Sequence, residues 1–239
     1  MKREIKIGCC GFPEKKEKYY QKFKLVELQT TFYELPAKIE TAKNWRKEAP
    51  KDFEFTLKAF QVITHEISSP TYKRLKKKFV NPKNYGFFKN TKEVFEAWEK
   101  TKKIAEILGA KIIVFQTPAS FLPEKQNIEN LKNFFRKIKS RKFIFVWEPR
   151  GNWDKDLIED LCKQLNLVHC VDPFKERPRF GKINYFRLHG LPGYNLKYKY
   201  KIEDLKKLFE FCEKRENYVL FNNLNMLKDA QTFQKIVYG

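Results

Sequence analysis

Glycine and proline are scarce in this sequence, and long apolar runs are missing. The 239 residues include nine Gly and eleven Pro spread along the chain, which excludes collagen-like and low-complexity classes. No segment approaches the roughly 18 uncharged apolar residues that cross a bilayer. No apolar signal region precedes Gly8, so we expect a cytoplasmic protein that does not bind membranes. The five cysteines suit neither a disulfide framework nor a zinc ribbon, and we interpret all five as buried thiols.

Several well-known catalytic motifs are also missing. The sequence has three histidines and contains no H-x-H or H-E-x-x-H zinc motif. It contains no G-x-S-x-G nucleophile turn, no Walker phosphate loop and no G-x-G-x-x-G after a strand. These absences disfavour a zincin-type protease, a serine hydrolase with a G-x-S-x-G nucleophile turn, a P-loop nucleotidase and a dinucleotide-binding fold.

Apolar residues are plentiful and follow a strand-helix alternation. The composition, 42% hydrophobic and 16% aromatic, is sufficient for a large core. Short apolar runs predict eight strands at 5–9, 25–29, 54–58, 111–116, 143–147, 167–171, 185–188 and 218–221. Amphipathic stretches between them predict helices, one capped by Asn90 with Glu93 and ended by Gly109, another capped by Asp154. We therefore predict an α/β fold, a single TIM-type (β/α)₈ barrel over residues 1–239. A doubly wound open sheet is the alternative.

Positive charge is concentrated in three stretches. Fifty Lys and Arg oppose 29 Asp and Glu, a formal net charge of +21, and such a surplus attracts polyanions. The mostly Lys and Glu composition is also typical of thermophile surfaces. The stretches are 68–90, 174–182 and 190–201, which follow predicted strands three, six and seven; the first forms a basic insertion. All three should lie on the carboxyl-terminal rim, with interleaved Tyr and Phe able to stack on bases. The predicted nucleic-acid-binding residues are Lys73, Arg74, Lys76, Lys77, Lys78, Arg177, Arg179, Lys197 and Lys199.

Polar side chains end nearly every predicted strand, where a barrel built for stability alone would have aliphatic residues. The candidate catalytic residues are Glu27, Glu148, Asp172 and His189, because carboxylates and imidazoles brought together supply general acids and bases. The candidate substrate-binding residues are Lys58, His65, Gln116, Arg150, Arg187, Tyr194, Asn222 and Asn223. The oxygen and imidazole ligands leave open a divalent metal cofactor, Mn²⁺, Mg²⁺ or Zn²⁺. His169 lies within a strand and is interpreted as a core residue with satisfied hydrogen bonds.

The strand-end motifs resemble those of the YecE-like proteins, the family also described as domain of unknown function 72. The motifs that carry the resemblance are Gly8-Cys9-Cys10-Gly11-Phe12, Glu27-Leu28-Gln29-Thr30, Ile63-Thr64-His65, Trp147-Glu148-Pro149-Arg150, Arg187-Leu188-His189-Gly190 and Phe221-Asn222-Asn223. The resemblance implies a TIM-type barrel and, by analogy with endonuclease IV, nucleic-acid binding. The chain departs from the family's usual pattern at Cys9-Cys10, where a Thr-Ser pair is common, and it is poorer in histidine than endonuclease IV.

Three functions remain open at the sequence level. In the first, the basic rim grips DNA or RNA and the strand-end acids hydrolyse a phosphodiester. In the second, the chain is an isomerase or hydrolase for a phosphorylated or sugar-like small molecule, which Lys58, Arg150 and Arg187 clamp while Glu148 and His189 shuttle protons. In the third, it is a non-catalytic binding module. The sequence gives no signal for the oligomeric state.

Overall fold

A closed barrel of parallel strands forms the centre of the molecule. The computed structural model describes residues 3–75 and 79–239. Within these residues each strand pairs with the next in chain order and the last pairs with the first. The strands are β1 (Glu4–Cys10), β2 (Leu25–Leu28), β3 (Glu54–Lys58), β4 (Ile112–Gln116), β5 (Ile144–Glu148), β6 (Val168–Val171), β7 (Asn184–Leu188) and β8 (Glu216–Phe221). The predicted TIM-type barrel is confirmed, with every strand within two residues of its predicted bounds.

Helices cover the outside of the barrel. They are α1 (Lys16–Tyr20), α2 (Thr30–Tyr33), α3 (Ile39–Glu48), α4 (Gln61–Thr64), α5 (Lys92–Leu108), α6 (Lys125–Lys137), α7 (Lys155–Leu165), α8 (Ile202–Phe211) and α9 (Met226–Tyr238). Residues 172–183, which connect β6 to β7, contain no helix. This connection returns as an extended segment beside β6, where the His169 backbone N–H donates to the carbonyl of Phe180 at 2.9 Å. All five cysteines are buried free thiols, as predicted.

Helix capping follows the sequence in one helix and departs from it in another. Asp154 caps α7 as predicted, its carboxylate accepting from the backbone N–H groups of Asp156 and Leu157 at 3.0 Å. The predicted Asn90–Glu93 pair on α5 is wrong. Thr91 caps that helix by accepting from the Val94 backbone N–H at 3.4 Å, and Glu93 instead accepts from the side chain of Asn84 at 2.8 Å.

Side-chain alternation along the strands separates two apolar layers. Outward residues such as Phe115 and Trp147 pack against the helices. Inward residues such as Val114 and Tyr185 fill the barrel. The amino-terminal end of the barrel is filled by Lys6, whose Nζ lies 2.8 Å from Glu54 and 2.7 Å from Glu216. The carboxyl-terminal end is therefore the end where a site can open.

The basic insertion between α4 and α5 is fixed to the barrel by its aromatic residues. Phe88 is fully buried, and its ring lies 5.2 Å from that of Phe134 and 5.5 Å from that of Phe121. Gly86 makes the close approach possible: it has φ +77°, and a Cβ there would lie 2.3 Å from the backbone carbon of His65. The aromatic residues of this segment therefore belong to the core.

Candidate active site at the carboxyl-terminal mouth

Arg187 on β7 is the centre of the polar cluster at the mouth. Its guanidinium is 1% exposed. Nη1 donates to Oε2 of Glu148 on β5, and Nη2 lies 3.1 Å from Oε1 of Glu27 on β2. Nη2 also lies 3.4 Å from Oε1 of Gln29. One buried guanidinium is thus shared as the ion-pair partner of two buried carboxylates, since desolvated charges require such partners.

Glu27 forms the floor of the mouth. Its side chain is fully buried, and Oε2 accepts a hydrogen bond from the Tyr185 hydroxyl at 2.8 Å. The same hydroxyl lies 2.8 Å from Oγ1 of Thr56. Oε1 of Glu27 accepts from the Gln29 amide, and the Cys10 thiol lies 3.5 Å away. These bonds use the carboxylate oxygens, so Glu27 positions its neighbours.

Lys58 ends β3 on the same interior surface and is 5% exposed. Its Nζ donates to Oε1 of Gln116 at 2.7 Å and lies 3.7 Å from the ring centroid of Phe32. Burial, together with the positive charge of Arg187, lowers the pKa of Lys58 from 10.5 to about 7, although Glu148 and Glu27 oppose the change. A substantial part of the amine is therefore uncharged near neutral pH.

His65 lies beside this lysine and is buried. Its Nδ1 is 2.8 Å from the Thr64 hydroxyl, and its ring meets that of Phe32 edge to face at 4.9 Å. Burial, followed by the charges of Lys58 and Arg150, lowers the pKa of His65 to about 3. Its imidazole is neutral at every physiological pH.

Glu148 and Arg150 form a second ion pair at the mouth. Oε1 of Glu148 accepts from Nε of Arg150 at 3.0 Å and from Nη2 at 2.6 Å. Burial acts against the charged carboxylate, but Arg187 and Arg150 outweigh it and hold the pKa of Glu148 well below its ordinary range. Glu148 is therefore ionised and occupied by guanidinium donors.

His189 follows β7 and contacts Arg150 and Asp172. Nη2 of Arg150 lies 3.3 Å from Nε2 of His189, and because arginine only donates, the ring proton belongs on Nδ1. Nδ1 is 3.8 Å from Oδ2 of Asp172 and has no hydrogen-bond partner among the described residues. Oδ2 also accepts from the His189 backbone N–H at 3.0 Å. Burial lowers the pKa of His189, so the imidazole is neutral at pH 7.

Tyr194 lies above these groups and is 45% exposed. Its ring centroid is 4.1 Å from Cζ of Arg150 and 3.7 Å from Nζ of Lys175. The His189 ring is 4.6 Å away. Two cations thus share one aromatic ring, which fixes their positions at the solvent side of the mouth.

The two candidate residues after β8 have different surroundings. The side chain of Asn223 donates to Asp229 at 2.6 Å and to the Tyr198 carbonyl at 2.8 Å, bonds that hold the start of α9. Asn222 is half-buried, and its backbone N–H donates to the Leu188 carbonyl at 2.8 Å. The side-chain bonds of Asn223 therefore hold the backbone of the β8–α9 connection and do not belong to the polar cluster around Arg187.

The predicted basic rim is only partly assembled at the mouth. Lys73, Arg74, Lys197 and Lys199 are exposed on connections that leave the carboxyl-terminal ends of β3 and β7. Lys76, Lys77 and Lys78 lie outside the described residues. Arg177 lies over the Phe211 ring at the end of α8, 3.9 Å from its centroid. The Arg179 backbone N–H donates to Nδ1 of His169 on the outer side of β6 at 3.2 Å.

The second basic stretch, residues 174–182, continues to the opposite end of the barrel. Lys182 lines a cavity with Lys139, Arg141 and Asn166, residues that precede β5, β6 and β7. The expectation that the whole 174–182 stretch shares the mouth is therefore wrong, because the β6–β7 connection descends without a helix. His169 is buried, but its Nε2 finds no hydrogen-bond partner in the described part of the chain, so its polar groups are only half satisfied.

Most of the interleaved aromatic residues are unavailable for stacking on bases. Tyr72, Tyr85, Phe88 and Tyr200 are buried. Phe79 packs edge to face between Tyr72 and Tyr85, with centroids 5.2 and 4.9 Å away. Tyr194, in contrast, is 45% exposed, and its ring lies at the mouth.

The mouth does not suit a divalent metal ion. Both carboxylates, Glu27 and Glu148, accept from Arg187, and Lys58 lies among them. A metal ligand needs an oxygen lone pair that is free of cationic donors. In residues 3–75 and 79–239, no group of three His, Cys, Asp or Glu side chains is arranged to hold a metal. The residues present therefore do not fit the metal left open by the sequence.

Several residues of the cluster were not among the predicted site residues, including Gln29, Lys175, Tyr185 and Phe32. Strand alternation contains a signal for two of them, because Gln29 follows Glu27 by two residues and Tyr185 precedes Arg187 by two. Lys175 has no such signal, since the fold of the β6–β7 connection brings it to Tyr194.

The fold and the position of this cluster define a class of protein: a TIM-type barrel whose polar strand ends meet where enzymes of this fold keep their active sites. Residues 11–238 match the family model described as protein of unknown function DUF72. The chain belongs to this family, as the motif resemblance predicted. No curated protein matches the chain in sequence.

Solved structures with the same fold extend the comparison. A DUF72 family protein from Enterococcus faecalis is 20% identical, with a TM-score of 0.74 and 98% of both chains covered. A xylose isomerase domain containing protein from Salmonella typhimurium is 14% identical, with a TM-score of 0.60, covering 99% of this chain and 96% of that one. Endonuclease IV from Thermus thermophilus is 10% identical, with a TM-score of 0.51 and 98% of both chains covered. At these identities the likeness establishes a shared fold and no shared chemistry. No helix in the described residues is long and apolar enough to span a membrane.

Proposed function

We propose that the chain is an enzyme that binds a small phosphate-bearing substrate at the carboxyl-terminal mouth and isomerises it by proton transfer. One observation carries the proposal: a buried amine, Lys58 at the end of β3, and a neutral imidazole, His189 after β7, belong to one polar cluster at the mouth, where Arg187, Arg150 and Glu148 act on both. In the closed barrel β3 and β7 are four strands apart, on opposite sides. Two proton-transfer groups on opposite sides of a substrate suit isomerisation, because one removes a proton while the other delivers one.

The cations at the mouth supply the anion-binding part of the proposal. Arg150 has a side chain 21% exposed, and Lys175 is exposed beside it on the Tyr194 ring. Their guanidinium and ammonium groups therefore face solvent and can bind phosphate oxygens. Arg187 lies deeper and is committed to Glu27 and Glu148. Arg187 therefore positions Glu27 and Glu148 at the bottom of the mouth, while Arg150 and Lys175 bind the phosphate.

The acids at the mouth act as positioning residues in this proposal. Both oxygens of Glu148 accept from guanidinium groups, so this carboxylate orients Arg150 and Arg187. Asp172 accepts from the His189 backbone N–H and faces the Nδ1 proton, which leaves Nε2 as the basic nitrogen. A phosphate that draws Arg150 away from Nε2 frees that nitrogen to accept a proton.

The test is hydrogen exchange in deuterium oxide with a panel of sugar phosphates, followed by mass spectrometry. We expect the wild-type protein to introduce solvent deuterium into one class of substrate, and His189→Gln to lower the exchange rate by about 10²–10⁴-fold, the usual contribution of a general base. Lys139→Met, at the opposite end of the barrel, is the control and should exchange like the wild type. The proposal fails if the wild-type protein neither exchanges nor binds any member of the panel.

Nucleic acid is a second candidate substrate, favoured by the exposed cations Lys73, Arg74, Lys197 and Lys199 around the mouth. The Arg74 guanidinium lies over the Tyr33 ring, 4.4 Å from its centroid, on the same rim. Phosphate contacts of this kind weaken with salt in proportion to their number. In this case the substrate is a phosphodiester, and one nucleotide of the bound nucleic acid reaches the polar cluster at the ends of the β-strands.

A charge-matched comparison tests the second candidate. We compare the variant Lys73→Ser/Lys197→Ser/Lys199→Ser with Lys139→Ser/Arg141→Ser/Lys182→Ser, which removes three cations at the opposite end. If the mouth binds nucleic acid, only the first variant lowers the slope of log affinity against log salt for a single-stranded oligonucleotide, by roughly 2. Equal slopes in the two variants would show nonspecific attraction to a basic protein.

A further inference from the structure

Lys58 differs from the two arginines of the mouth, Arg150 and Arg187, in the partners of its nitrogen. Nζ donates to the neutral amide oxygen of Gln116 and lies over the face of Phe32. Among the described residues, Lys58 forms no ion pair, since the mouth carboxylates Glu27 and Glu148 are paired with Arg187. A buried lysine used for stability alone is normally paired with a carboxylate.

The surroundings of Nζ favour the free amine, which is the nucleophilic form. The apolar ring of Phe32 desolvates it, and Arg187 repels a second positive charge. The neighbouring His65 is neutral and takes its hydrogen bond with Thr64, so it does not compete for the amine. Lysines desolvated beside another cationic group are the ones that form imines with carbonyl compounds.

The position of Lys58 matches the geometry of the proposed substrate site. It is the last residue of β3 and pairs in register with Val114 of β4, and its Nζ reaches the side chain of Gln116, which pairs with Glu148 on β5. Arg150, which we assign to the phosphate, pairs with Glu148. A small substrate whose phosphate binds Arg150 can therefore place a carbonyl carbon near Nζ.

We infer that Lys58 is a catalytic nucleophile that forms an imine with a phosphate-bearing aldehyde or ketone; this inference rests on the proposed function. Nζ adds to the carbonyl carbon, and the carbon–oxygen double bond becomes the hydroxyl of a carbinolamine. That hydroxyl leaves as water by taking one proton from solvent, while the nitrogen keeps its remaining proton, so the carbon–nitrogen double bond forms as a protonated imine. A protonated imine withdraws electrons from the adjacent carbon, so His189 can remove a proton there, and solvent returns a proton to the opposite face of the same carbon, which inverts that centre. Water then hydrolyses the imine and releases the isomerised carbonyl compound and the free amine of Lys58.

Reductive trapping tests the inference on the intact protein. The probe is glycolaldehyde phosphate with cyanoborohydride at pH 7, which reduces an imine to a stable secondary amine. Peptide mass mapping then reads every lysine in the same sample, so exposed lysines serve as internal controls. We expect Lys58 to be labelled at least tenfold faster than any exposed lysine, and inorganic phosphate to slow that labelling by competing for Arg150. Labelling spread over exposed lysines, with Lys58 unmodified, overturns the inference.

Two further measurements separate this inference from the proposed function. If unphosphorylated glycolaldehyde labels Lys58 as fast as the phosphate compound does, the imine is supported and the phosphate-bearing substrate fails. If inorganic phosphate binds by calorimetry and Arg150→Met abolishes its binding, yet Lys58 is never labelled, the binding site stands and the imine fails. Lys58→Arg keeps a long basic side chain without a nucleophilic amine and should lose the labelled peptide, with its fold checked by circular dichroism.

Discussion

Arg187 donates from Nη1 to Oε2 of Glu148, and this ion pair connects β7 to β5 across the intervening strand β6. The same guanidinium reaches Glu27 on β2. Burial disfavours the charge on Arg187, but Glu148 and Glu27 outweigh it and raise the pKa of Arg187 well above its ordinary value. The charges of the mouth therefore depend on one another, and the loss of one leaves another buried without a partner.

Replacing Arg187 should destabilise the protein strongly. Arg187→Met removes the ion-pair partner of Glu27 and one of the two partners of Glu148. Leaving buried carboxylates unpaired costs about 3–5 kcal/mol of unfolding free energy, measurable by urea denaturation at pH 7. Arg141→Met, on an exposed side chain, should stay within about 0.5 kcal/mol. A loss below about 1 kcal/mol for Arg187→Met would contradict the interdependence of these charges.

The pH dependence of stability should show the titration of Lys58. Its pKa is about 7 in the folded protein and 10.5 in the unfolded chain. Between these values the unfolded chain binds a proton that the folded protein has released, so the free energy of unfolding rises with pH. The contribution is at most about 1.4 kcal/mol per pH unit. The increase in the free energy of unfolding begins near pH 7 and ends near pH 10.5.

Urea denaturation at pH 7, 8 and 9 isolates this contribution when the wild type is compared with Lys58→Met. We expect the stability of the wild type relative to the variant to increase over this range. Lys83→Met, on an exposed lysine, should track the wild type at every pH. A constant difference between the wild type and Lys58→Met would mean that the amine stays protonated in the fold.

Removing the ring of Tyr194 should weaken phosphate binding. The ring fixes Arg150 and Lys175, and each exposed cation–π contact contributes about 0.5–1 kcal/mol. Loss of both contacts in Tyr194→Ala should therefore lower the affinity for inorganic phosphate by roughly 5–30-fold in calorimetry. Tyr194→Phe keeps the ring and should bind like the wild type. If Tyr194→Ala and Tyr194→Phe bind inorganic phosphate equally well, the ring of Tyr194 does not contribute to binding.

The capping of α5 can be tested with neighbouring residues. Thr91→Ala removes the hydroxyl that accepts from the Val94 N–H, a loss of about 1 kcal/mol in the free energy of unfolding. Asn90→Ala removes only an exposed contact with Lys137 and should cost less than about 0.5 kcal/mol. A larger loss of unfolding free energy for Asn90→Ala than for Thr91→Ala would support Asn90 as the cap, as the sequence predicted.

The strands were predictable from the sequence because buried parallel strands are nearly continuous apolar runs. The run 143–147 predicted β5, which the structure places at Ile144–Glu148. The cap of α5 was not predictable in the same way. Local spacing favours Asn90 with Glu93, but Asn84, from a preceding turn, bonds to Glu93 and its carbonyl accepts from the Thr91 hydroxyl.

The sequence by itself determined the barrel and the chemical character of its mouth, because polar residues at strand ends must meet once parallel strands close into a ring. Only the tertiary structure decided how those residues are paired. Arg187 is shared between Glu27 and Glu148, and Lys58 is left with a neutral amide. These pairings depend on distances between segments far apart in the chain. The same reason separates the basic stretches, since the helix-free β6–β7 connection carries Lys182 away from the mouth.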